Sequence, residues 1–402
     1  TVSRTDLIQI LESRMKVIAI DAKIVARKQR GMPAYVSKLC TSIPSLMPDV
    51  KFVLLVNEKF EHNDVKENYL PRLQAVSQPN NVEVVNIDAE DERSWEIFKL
   101  PSFLRQRKID LLHMPTNRVC MFTNTRQIST VHDCMEWKYL DINHSIPENV
   151  DLKTKFYHWR KRFYSKLNYL YGVKYKAAQI ITVSHYAKAS INQIFGVKSK
   201  NILVCRHGLP EGFEKANGSP ISERNGVLML GGESHQKNCV NAIAAYANLE
   251  VDLRKKHRLT ICSASDSADS KIKKALVDHG VENDVEVLSW VSTERLINLF
   301  ETKRAFLFVS REEGFGFPLL QALHCGTPTV ISKADVLREI AGETYPYAET
   351  ENHQQMTSIL SRYLTDDSYW HKISQKSLVA ASPFTWEESI QSHIRAYREL
   401  IK

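Results

Sequence analysis

One stretch decides the fold prediction: residues 310–328, which read SREEGFGFPLLQALHCGTP. The apolar run Ala305 to Val309 comes just before it and predicts a buried strand that enters an acidic, glycine-rich loop. Pro318 suits the first turn of a helix, because its missing N–H would have no helical partner there. Gly326 and Pro328 are typical of a helix end that leads into the next strand. The stretch therefore predicts a strand–loop–helix–strand unit.

The same pattern continues on both sides of this stretch. Short runs rich in Val, Ile and Leu alternate with longer runs of helical period, which is typical of parallel sheets covered on both faces. The alternation occurs twice, and the Gly- and Pro-rich residues 208–225 separate the two series. The predicted strands are Val17–Ile20, Phe52–Val56, Val82–Val85, Leu111–His113, Ile128–Val131 and Ile180–Val183, then Val227–Leu230, Leu259–Cys262, Val285–Leu288, Phe306–Val309 and Pro328–Ile331. The predicted helices include Tyr35–Ile43, Trp95–Arg105, Val240–Leu249, Lys271–Val277, Thr293–Phe300 and Leu319–His324.

Length and composition agree with two domains. At about 150 residues per domain, 402 residues make two or three domains. We therefore predict an α/β chain of two Rossmann-like, doubly wound domains that face each other across a cleft. Ligands of such sheets bind outside the carboxyl ends of the strands. The net charge of +8 permits an anionic partner without identifying one.

The arrangement of the cysteines and the hydropathy of the chain indicate its cellular compartment. Its seven cysteines stand singly, without a CxxC pair, which predicts a reduced, cytoplasmic protein without a zinc ribbon. No apolar run approaches the ~18 residues of a transmembrane helix. Residues 1–14 lack the apolar core of a signal peptide, and we interpret them as a leader or linker.

The glycine-rich loop has the features of an anion site. Gly314 and Gly316 allow a ligand to approach the backbone closely, and the N–H groups at the start of the following helix attract anions. Glu313 stands at the mouth of the loop, and Gln321 lies eight residues on, about two helical turns later. An ordinary acidic loop between a strand and a helix is the alternative interpretation.

This stretch resembles the signature of the retaining glycosyltransferases of family 4, which have the GT-B fold. In that family a Glu-x7-Glu pair frames the sugar nucleotide: the first Glu contacts hydroxyls of the donor sugar, and the second binds the ribose. Glu313 matches the first position, while Gln321 replaces the second Glu. Gln retains an acceptor and adds donors, but it loses the stronger charge-assisted hydrogen bond.

Other segments resemble the family's motifs in the family's order. The loop at Gly31 resembles the one that faces the donor, and His132 with Asp133 resembles a His-Asp pair whose His lies near the transferred sugar. Lys237 and Asn238 end a segment that resembles the phosphate-binding stretch, although the Arg often found beside this Lys is absent. The motif order predicts an N-terminal acceptor-side domain at 15–207, a nucleotide-sugar domain at 208–384 and a last helix at 385–402 that returns to the first domain.

The resemblance implies a retaining hexosyltransferase of surface polysaccharide assembly, such as lipopolysaccharide synthesis. GDP-mannose is the favoured donor, a UDP-hexose remains the alternative, and the acceptor would be a glycan or a lipid-linked glycan. His132, Glu313 and Lys237 would be the catalytic residues, and neither a metal nor another cofactor is expected. The residues implied to bind the donor are Gly31, Lys237, Asn238, Glu313, Gly314, Phe315, Gly316 and Gln321.

Two rival functions are weaker. A non-catalytic binding module would explain Gln321 and the missing Arg, but Glu313, His132 and Lys237 together argue against it. A nicotinamide-dependent dehydrogenase also uses doubly wound domains, but no GxGxxG follows the first strand.

Residues 153–176 combine basic and aromatic side chains. Phe156, Trp159, Phe163, Leu167 and Leu170 recur at helical spacing among lysines and arginines. We favour a helix with this apolar stripe buried and the basic face in water. Peripheral contact with anionic lipid, or with a lipid-diphosphate acceptor, is the alternative. Nucleic acid is not expected, because no nucleic-acid motif accompanies the basic run.

Overall fold

A computed structural model describes residues 15–25, 31–60, 74–138, 151–262 and 270–402. The chain divides into two compact units, one formed by Thr1–His207 with Trp386–Lys402 and the other by Gly208–Thr385. Within these described ranges each unit contains one sheet, and the strand pairs in both sheets are parallel. The predicted leader or linker at 1–14 lies outside the described residues.

The N-terminal unit contains a seven-stranded sheet in the order β3-β2-β1-β4-β5-β6-β7. Its strands β1 and β2 are mostly buried on both faces, which explains their largely apolar sequences. The order reverses between β1 and β4, so this sheet has a switch point there. The strands are β1 Lys16–Asp21, β2 Val50–Val56, β3 Val82–Asn86, β4 Leu111–Met114, β5 Gln127–Thr130, β6 Gln179–Thr182 and β7 Ile202–Val204.

Helices connect these strands. They are α1 Met32–Leu46, a short helix Glu92–Ser94 that continues through the π-helical turn Trp95–Lys99 into α2 Leu100–Gln106, α3 Met135–Lys138, α4 Leu152–Leu167 with the π-helical turn Asn168–Val173, and α5 His185–Phe195. The start of α5 follows from its sequence, because the Ser184 side chain accepts a hydrogen bond from the Ala187 N–H. Gly196, in the left-handed region, ends the same helix.

The C-terminal unit contains a six-stranded sheet in the order β10-β9-β8-β11-β12-β13. The strands are β8 Val227–Leu230, β9 Leu259–Cys262, β10 Val285–Leu288, β11 Ala305–Phe308, β12 Thr329–Ser332 and β13 Tyr347–Ala348. The helices are α6 Cys239–Ala247, α7 Val251–Lys256, α8 Lys271–Asp278, α9 Thr293–Thr302, α10 Phe317–His324, α11 Asp335–Ala341, α12 His353–Thr365 and α13 Asp367–Ala381. Because β8 and β11 are neighbours at the switch point, the loops that follow them lie side by side.

The last helix, α14 Trp386–Leu400, packs in the N-terminal unit. The hydroxyl group of Tyr397 lies 2.6 Å from Nδ1 of His113. Nε2 of His393 lies 2.8 Å from the hydroxyl group of Tyr35. The buried side chains of Ile390, Ala396 and Tyr397 on α14 belong to the same hydrophobic core as those on the buried side of α1.

The sequence predicts that the apolar stripe of α4 is buried. This prediction is wrong, because the stripe faces outward. Phe156, Trp159 and Phe163 are 58%, 54% and 57% exposed. Other positions of α4 contact the rest of the unit, such as Tyr164, whose hydroxyl donates to Oε2 of Glu96 at 2.9 Å. The wide π-helical turn that follows α4 buries Tyr169, while the aromatic rings of Phe156, Trp159 and Phe163 stack on one another along the exposed stripe.

Two further properties bear on the environment of the chain. In the described ranges, no helix combines the length and the apolar content that a bilayer span requires. All seven cysteines are among the described residues, and each is buried and outside any disulfide.

Candidate functional site

The loops after β8 and β11 bring two of the predicted catalytic residues together. Nζ of Lys237 lies 2.9 Å from Oε1 of Glu313, although 76 positions separate them in the sequence. Lys237 ends the 3-10 turn His235–Lys237 after β8, and Glu313 follows β11. The side chains are 34% and 12% exposed, respectively, so the pair lies at the rim of the unit. A carboxylate and an ammonium group therefore occupy the carboxyl edge of the sheet, where ligands of this fold bind.

Two glycines shape this edge. A Cβ atom on Gly232 would lie 2.9 Å from Cγ of Lys237, so the lysine side chain passes directly over the glycine. Gly316 precedes α10 with φ +97°, in the region that favours glycine, and a Cβ atom there would lie 3.2 Å from Leu337. Its carbonyl accepts from the N–H of Leu319 at 3.0 Å, which starts the helix.

The other residues predicted around the loop have different surroundings. Phe315 is 5% exposed, and its ring packs against those of Phe317 and Phe384, so only its backbone is placed to meet a ligand. Gln321 is buried on α10. Gly314 lies between Glu313 and Phe315 on the same loop.

Asn238 holds the loop that carries Lys237. It adopts φ +55°, and its side-chain amide donates to the carbonyls of Val309 at 3.0 Å and Thr350 at 2.8 Å. Its Oδ1 accepts from Nδ2 of Asn241 at 2.9 Å. Because the Asn238 side chain is buried and bonded to protein, the structure favours a positioning role for it over direct phosphate contact.

Arg311 is a residue that the sequence reasoning missed. Its N–H donates to the Gln236 carbonyl, and its Nη1 donates to the His235 carbonyl, both at 2.7 Å. Nε and Nη2 also donate to the two carboxylate oxygens of Glu351, at 2.8 and 2.9 Å. Arg311 thus fixes the turn that carries Lys237. Nothing in the sequence indicates this, because the contact depends on the adjacency of β8 and β11.

His132 lies in the N-terminal unit, directly after β5. It is 6% exposed, and Asn117 accepts its N–H through Oδ1 at 2.7 Å. Its Nε2 lies 2.9 Å from the Pro115 carbonyl. Since a carbonyl only accepts, Nε2 carries the proton, and neutral His132 presents the lone pair of Nδ1. Burial lowers the pKa of His132 to about 4, so its ring is neutral at pH 7.

Three further histidines surround this position. The centroid of the Tyr35 ring lies 4.9 Å from the ring centroids of both His132 and His207. The Tyr35 hydroxyl group forms a hydrogen bond with Nε2 of His393. Nε2 of His113 forms a hydrogen bond of 2.7 Å with the hydroxyl group of Thr130. Burial also lowers the pKa of His113, His207 and His393, in the last case to about 4. This histidine cluster (His113, His132, His207 and His393) is thus a neutral core, in which hydrogen bonds hold the rings of His113, His132 and His393 and the ring of His207 packs against those of Tyr35 and His132.

Gly31 marks the start of α1 in the same unit. It has φ +61°, and a Cβ atom there would have no neighbour within 4 Å. Its carbonyl accepts from the N–H of Tyr35 at 3.2 Å, which connects the loop to the histidine cluster. In the part of the chain that the structure describes, no group of three His, Cys, Asp or Glu side chains is arranged to hold a metal ion.

Comparisons with known proteins agree with this architecture. A family model described as "Glycosyltransferase Family 4" matches residues 63–211, and one described as "Glycosyl transferases group 1" matches residues 213–378. The chain is 26% identical over 234 residues to O-antigen chain mannosyltransferase B of Escherichia coli, which is 56% of this chain and 61% of that protein. The match therefore spans about three fifths of that relative.

Solved structures show the fold. The sucrose-phosphate synthase of Thermosynechococcus elongatus matches with a TM-score of 0.70 at 14% identity, over 96% of this chain and 99% of that one. Anabaena Alr3699/HepE in complex with UDP-glucose matches with a TM-score of 0.67 at 15% identity, over 96% and 100%. The predicted fold class, GT-B with two Rossmann-like domains, is confirmed.

Proposed function

Because the chain belongs to the glycosyltransferases that these two family models describe, we propose that it transfers a hexose from a nucleotide-diphosphate sugar to an acceptor hydroxyl group. The acceptor is a glycan or a glycolipid of polysaccharide assembly, and the anomeric configuration is retained. The observation that carries the proposal is the contact of 2.9 Å between Lys237 and Glu313 at the carboxyl edge of the C-terminal sheet.

The chemistry of this pair suits a diphosphate leaving group. Without a ligand, the ammonium group of Lys237 is balanced by the carboxylate of Glu313. A donor diphosphate brings at least two negative charges to the same ammonium group and competes with the carboxylate for it. Glu313 then accepts hydrogen bonds from hydroxyls of the sugar. Lys237 stabilises the charge that develops on the diphosphate as the glycosidic bond breaks and an oxocarbenium-like state forms.

His132 contributes a neutral acceptor. Its Nε2–H is bonded to the Pro115 carbonyl, so a sugar hydroxyl can donate to its Nδ1. We therefore assign His132 to orientation of the sugar, and no proton transfer is required of it.

The donor we favour is GDP-mannose. It is supported by the mannosyltransferase name of the Escherichia coli relative. A UDP-hexose is the second candidate, because the Anabaena protein of similar fold was solved with UDP-glucose. No metal is needed in this proposal, since Lys237 supplies the positive charge at the diphosphate.

A donor panel tests the proposal. The full chain is incubated with GDP-mannose, UDP-glucose or UDP-galactose and an oligosaccharide acceptor, and the product is examined by proton NMR. We expect turnover of GDP-mannose and an α-linked product, the same configuration as in the donor. A β-linked product would contradict retention, and turnover of a UDP-sugar alone would contradict the favoured donor.

We also propose that α4 contacts the membrane, which would place the chain at its inner face. Leu152–Leu167 contains six Lys or Arg residues and no Asp or Glu, and its aromatic stripe is exposed. Aromatic side chains on a basic helix suit the interface of an anionic bilayer.

Vesicle binding tests the membrane contact. Sedimentation with phosphatidylglycerol vesicles at low salt should fall several-fold when Arg160→Glu and Arg162→Glu are combined, since each basic residue contributes about 1 kcal/mol near such a surface. Lys255→Glu with Lys256→Glu on α7 is the matched control, with the same charge change on another exposed helix. An equal loss of vesicle binding in both double variants would show that binding depends on net charge in general. That result would refute the assignment of the membrane contact to α4.

A further inference from the structure

An open cleft in the N-terminal unit lies between α3, α4 and α5. Its volume is about 720 Å³, and its lining includes Trp137, Lys138, Lys166, Tyr186, Ser190 and Gln193. The helices α3 and α5 begin shortly after β5 and β6, so the cleft adjoins the carboxyl ends of these strands, where ligands of doubly wound sheets bind. Its size is in the range of small-molecule sites.

The aromatic side chains of the cleft are held in place. The ring of Trp137 packs edge-on against that of Phe195, with 6.0 Å between the centroids. The Tyr186 hydroxyl accepts from Nζ of Lys138 at 3.1 Å, and the same ammonium group lies 5.4 Å from the Tyr186 ring centroid. Both rings are partly exposed. Fixed aromatic faces beside polar groups suit the C–H face of a pyranose ring.

The charge of the cleft indicates an anionic ligand. Lys138 and Lys166 line it, while no Asp or Glu is among its described lining residues. Ser190 and Gln193 add hydrogen-bonding groups that can bind either hydroxyl or phosphate oxygens. A compact ammonium group on a flexible stem is a common partner of phosphate. The cleft thus combines a surface for a sugar with charges for a phosphate.

The cleft also adjoins the exposed stripe of α4. Lys166 follows Phe163 by three positions, so the two are neighbours on the helix surface, and the next residue, Leu167, belongs to the same stripe. Phe163 and Leu167 are 57% and 39% exposed. A ligand whose phosphate lies at Lys166 can therefore extend an apolar chain along Phe163 and Trp159.

We propose that this cleft binds the sugar phosphate of a lipid-linked acceptor. The sugar packs on Trp137, the phosphate lies between Lys138 and Lys166, and the lipid chain follows the aromatic stripe of α4. The inference rests on the proposed function, because it concerns the acceptor of that reaction. Its lining residues are different from Lys237 and Glu313, so a failure of the cleft assignment can be distinguished from a failure of the proposed function.

Calorimetric titration without any donor tests the cleft. The probes are a hexose joined through phosphate to a geranyl chain, hexose 1-phosphate, and the methyl glycoside of the same hexose. We expect the geranyl probe to bind most tightly and the uncharged glycoside most weakly. Lys138→Gln with Lys166→Gln should weaken both phosphate probes at least tenfold, as expected for the loss of a charged hydrogen bond, and should leave the glycoside unchanged.

The control is Lys188→Gln combined with Lys200→Gln, which removes two lysines of the same unit outside the cleft lining. Unchanged phosphate affinity in the double variant, or an equal loss in the control, would overturn the assignment of the cleft. Equal affinity for the geranyl probe and hexose 1-phosphate would show that the lipid chain does not contribute to binding, and would overturn the proposal that the ligand is lipid-linked. The double variant should retain its affinity for the nucleotide sugar. If the phosphate probes bind as expected and no nucleotide sugar binds the wild type, then the proposed function fails while the cleft remains a phosphate site.

Discussion

The two units place opposite chemistry at the carboxyl ends of their strands. In the C-terminal unit, Lys237 and Glu313 are charged, paired and partly exposed. In the N-terminal unit, His132 is buried and neutral within the histidine cluster. The electrostatics of such a site are therefore set by the side chains packed around the strand ends and not by the parallel strands themselves. We infer that the C-terminal unit supplies charge for a diphosphate and that the N-terminal unit supplies neutral hydrogen-bonding groups.

The largest effect is expected from Glu313→Ala. It removes the carboxylate that we propose to bind sugar hydroxyls, and the loss of such a preorganised group typically lowers kcat about 100-fold or more. The measurement is the rate of transfer under saturating donor. Circular dichroism and the thermal midpoint should stay close to wild type, because Glu313 lies at the rim of its unit.

Glu214→Ala serves as the control for this loss, because Glu214 is an exposed glutamate of the same unit away from the loop. It should transfer at the wild-type rate. An active Glu313→Ala protein would show that the charged pair is not the reacting site, and the contrast between the units would lose its functional meaning.

A smaller effect is expected from acid, and it concerns the neutral unit. Burial holds the pKa of His132 and His393 at about 4, below the 6.5 of an unfolded chain. As the pH falls below 6.5, the unfolded chain therefore takes up protons that the folded chain does not, and the free energy of unfolding decreases. Between pH 7.5 and pH 5 the loss is about 2 kcal/mol for each of these two histidines. Urea unfolding at the two pH values measures it.

The titration can be assigned by variants. His393→Gln removes one buried group and should flatten the dependence of stability on pH, even where it lowers stability itself. His371→Gln makes the same substitution at an exposed histidine of the other unit and serves as the control for the substitution itself. A wild-type stability that is constant between pH 7.5 and pH 5 would contradict the neutral core.

Much of the fold was predictable from the sequence, since strand cores buried on both faces leave long apolar runs. Val227–Leu230 and Leu259–Cys262 match the structure at both ends. The strands that escaped prediction, β7 and β13, have three and two residues at sheet edges, too few for a pattern. The α4 stripe shows another limit, because helical spacing predicts an apolar face without saying whether that face is buried.

The candidate site was predictable only in part. Lys237 and Glu313 belong to recognisable motifs, and the adjacency of β8 and β11 explains their contact. The support from Arg311, and the bonding of Asn238 to protein carbonyls, depend on which loops meet. The histidine cluster depends in the same way on α14, which contributes His393 from the far end of the chain. Pairings of this kind leave no local pattern.

No effect at all is expected from removal of metal ions. Lys237 supplies the positive charge at the diphosphate in the proposed mechanism, so a chelator should leave the rate of transfer unchanged. Transfer is measured with and without EDTA after dialysis. A strict requirement for Mn²⁺ or Mg²⁺ would contradict this mechanism. It would show that a metal ion, and not the ammonium group of Lys237 alone, stabilises the diphosphate.

The most direct test of the account is the affinity of the chain for nucleotides, before and after Lys237→Met. The central claim is that the ammonium group of Lys237 binds the diphosphate of the donor. Titration calorimetry should show GDP binding weakened about tenfold or more, in keeping with the loss of a charged hydrogen bond, while guanosine binds with unchanged affinity. Equal GDP affinity in wild type and variant would contradict the claim.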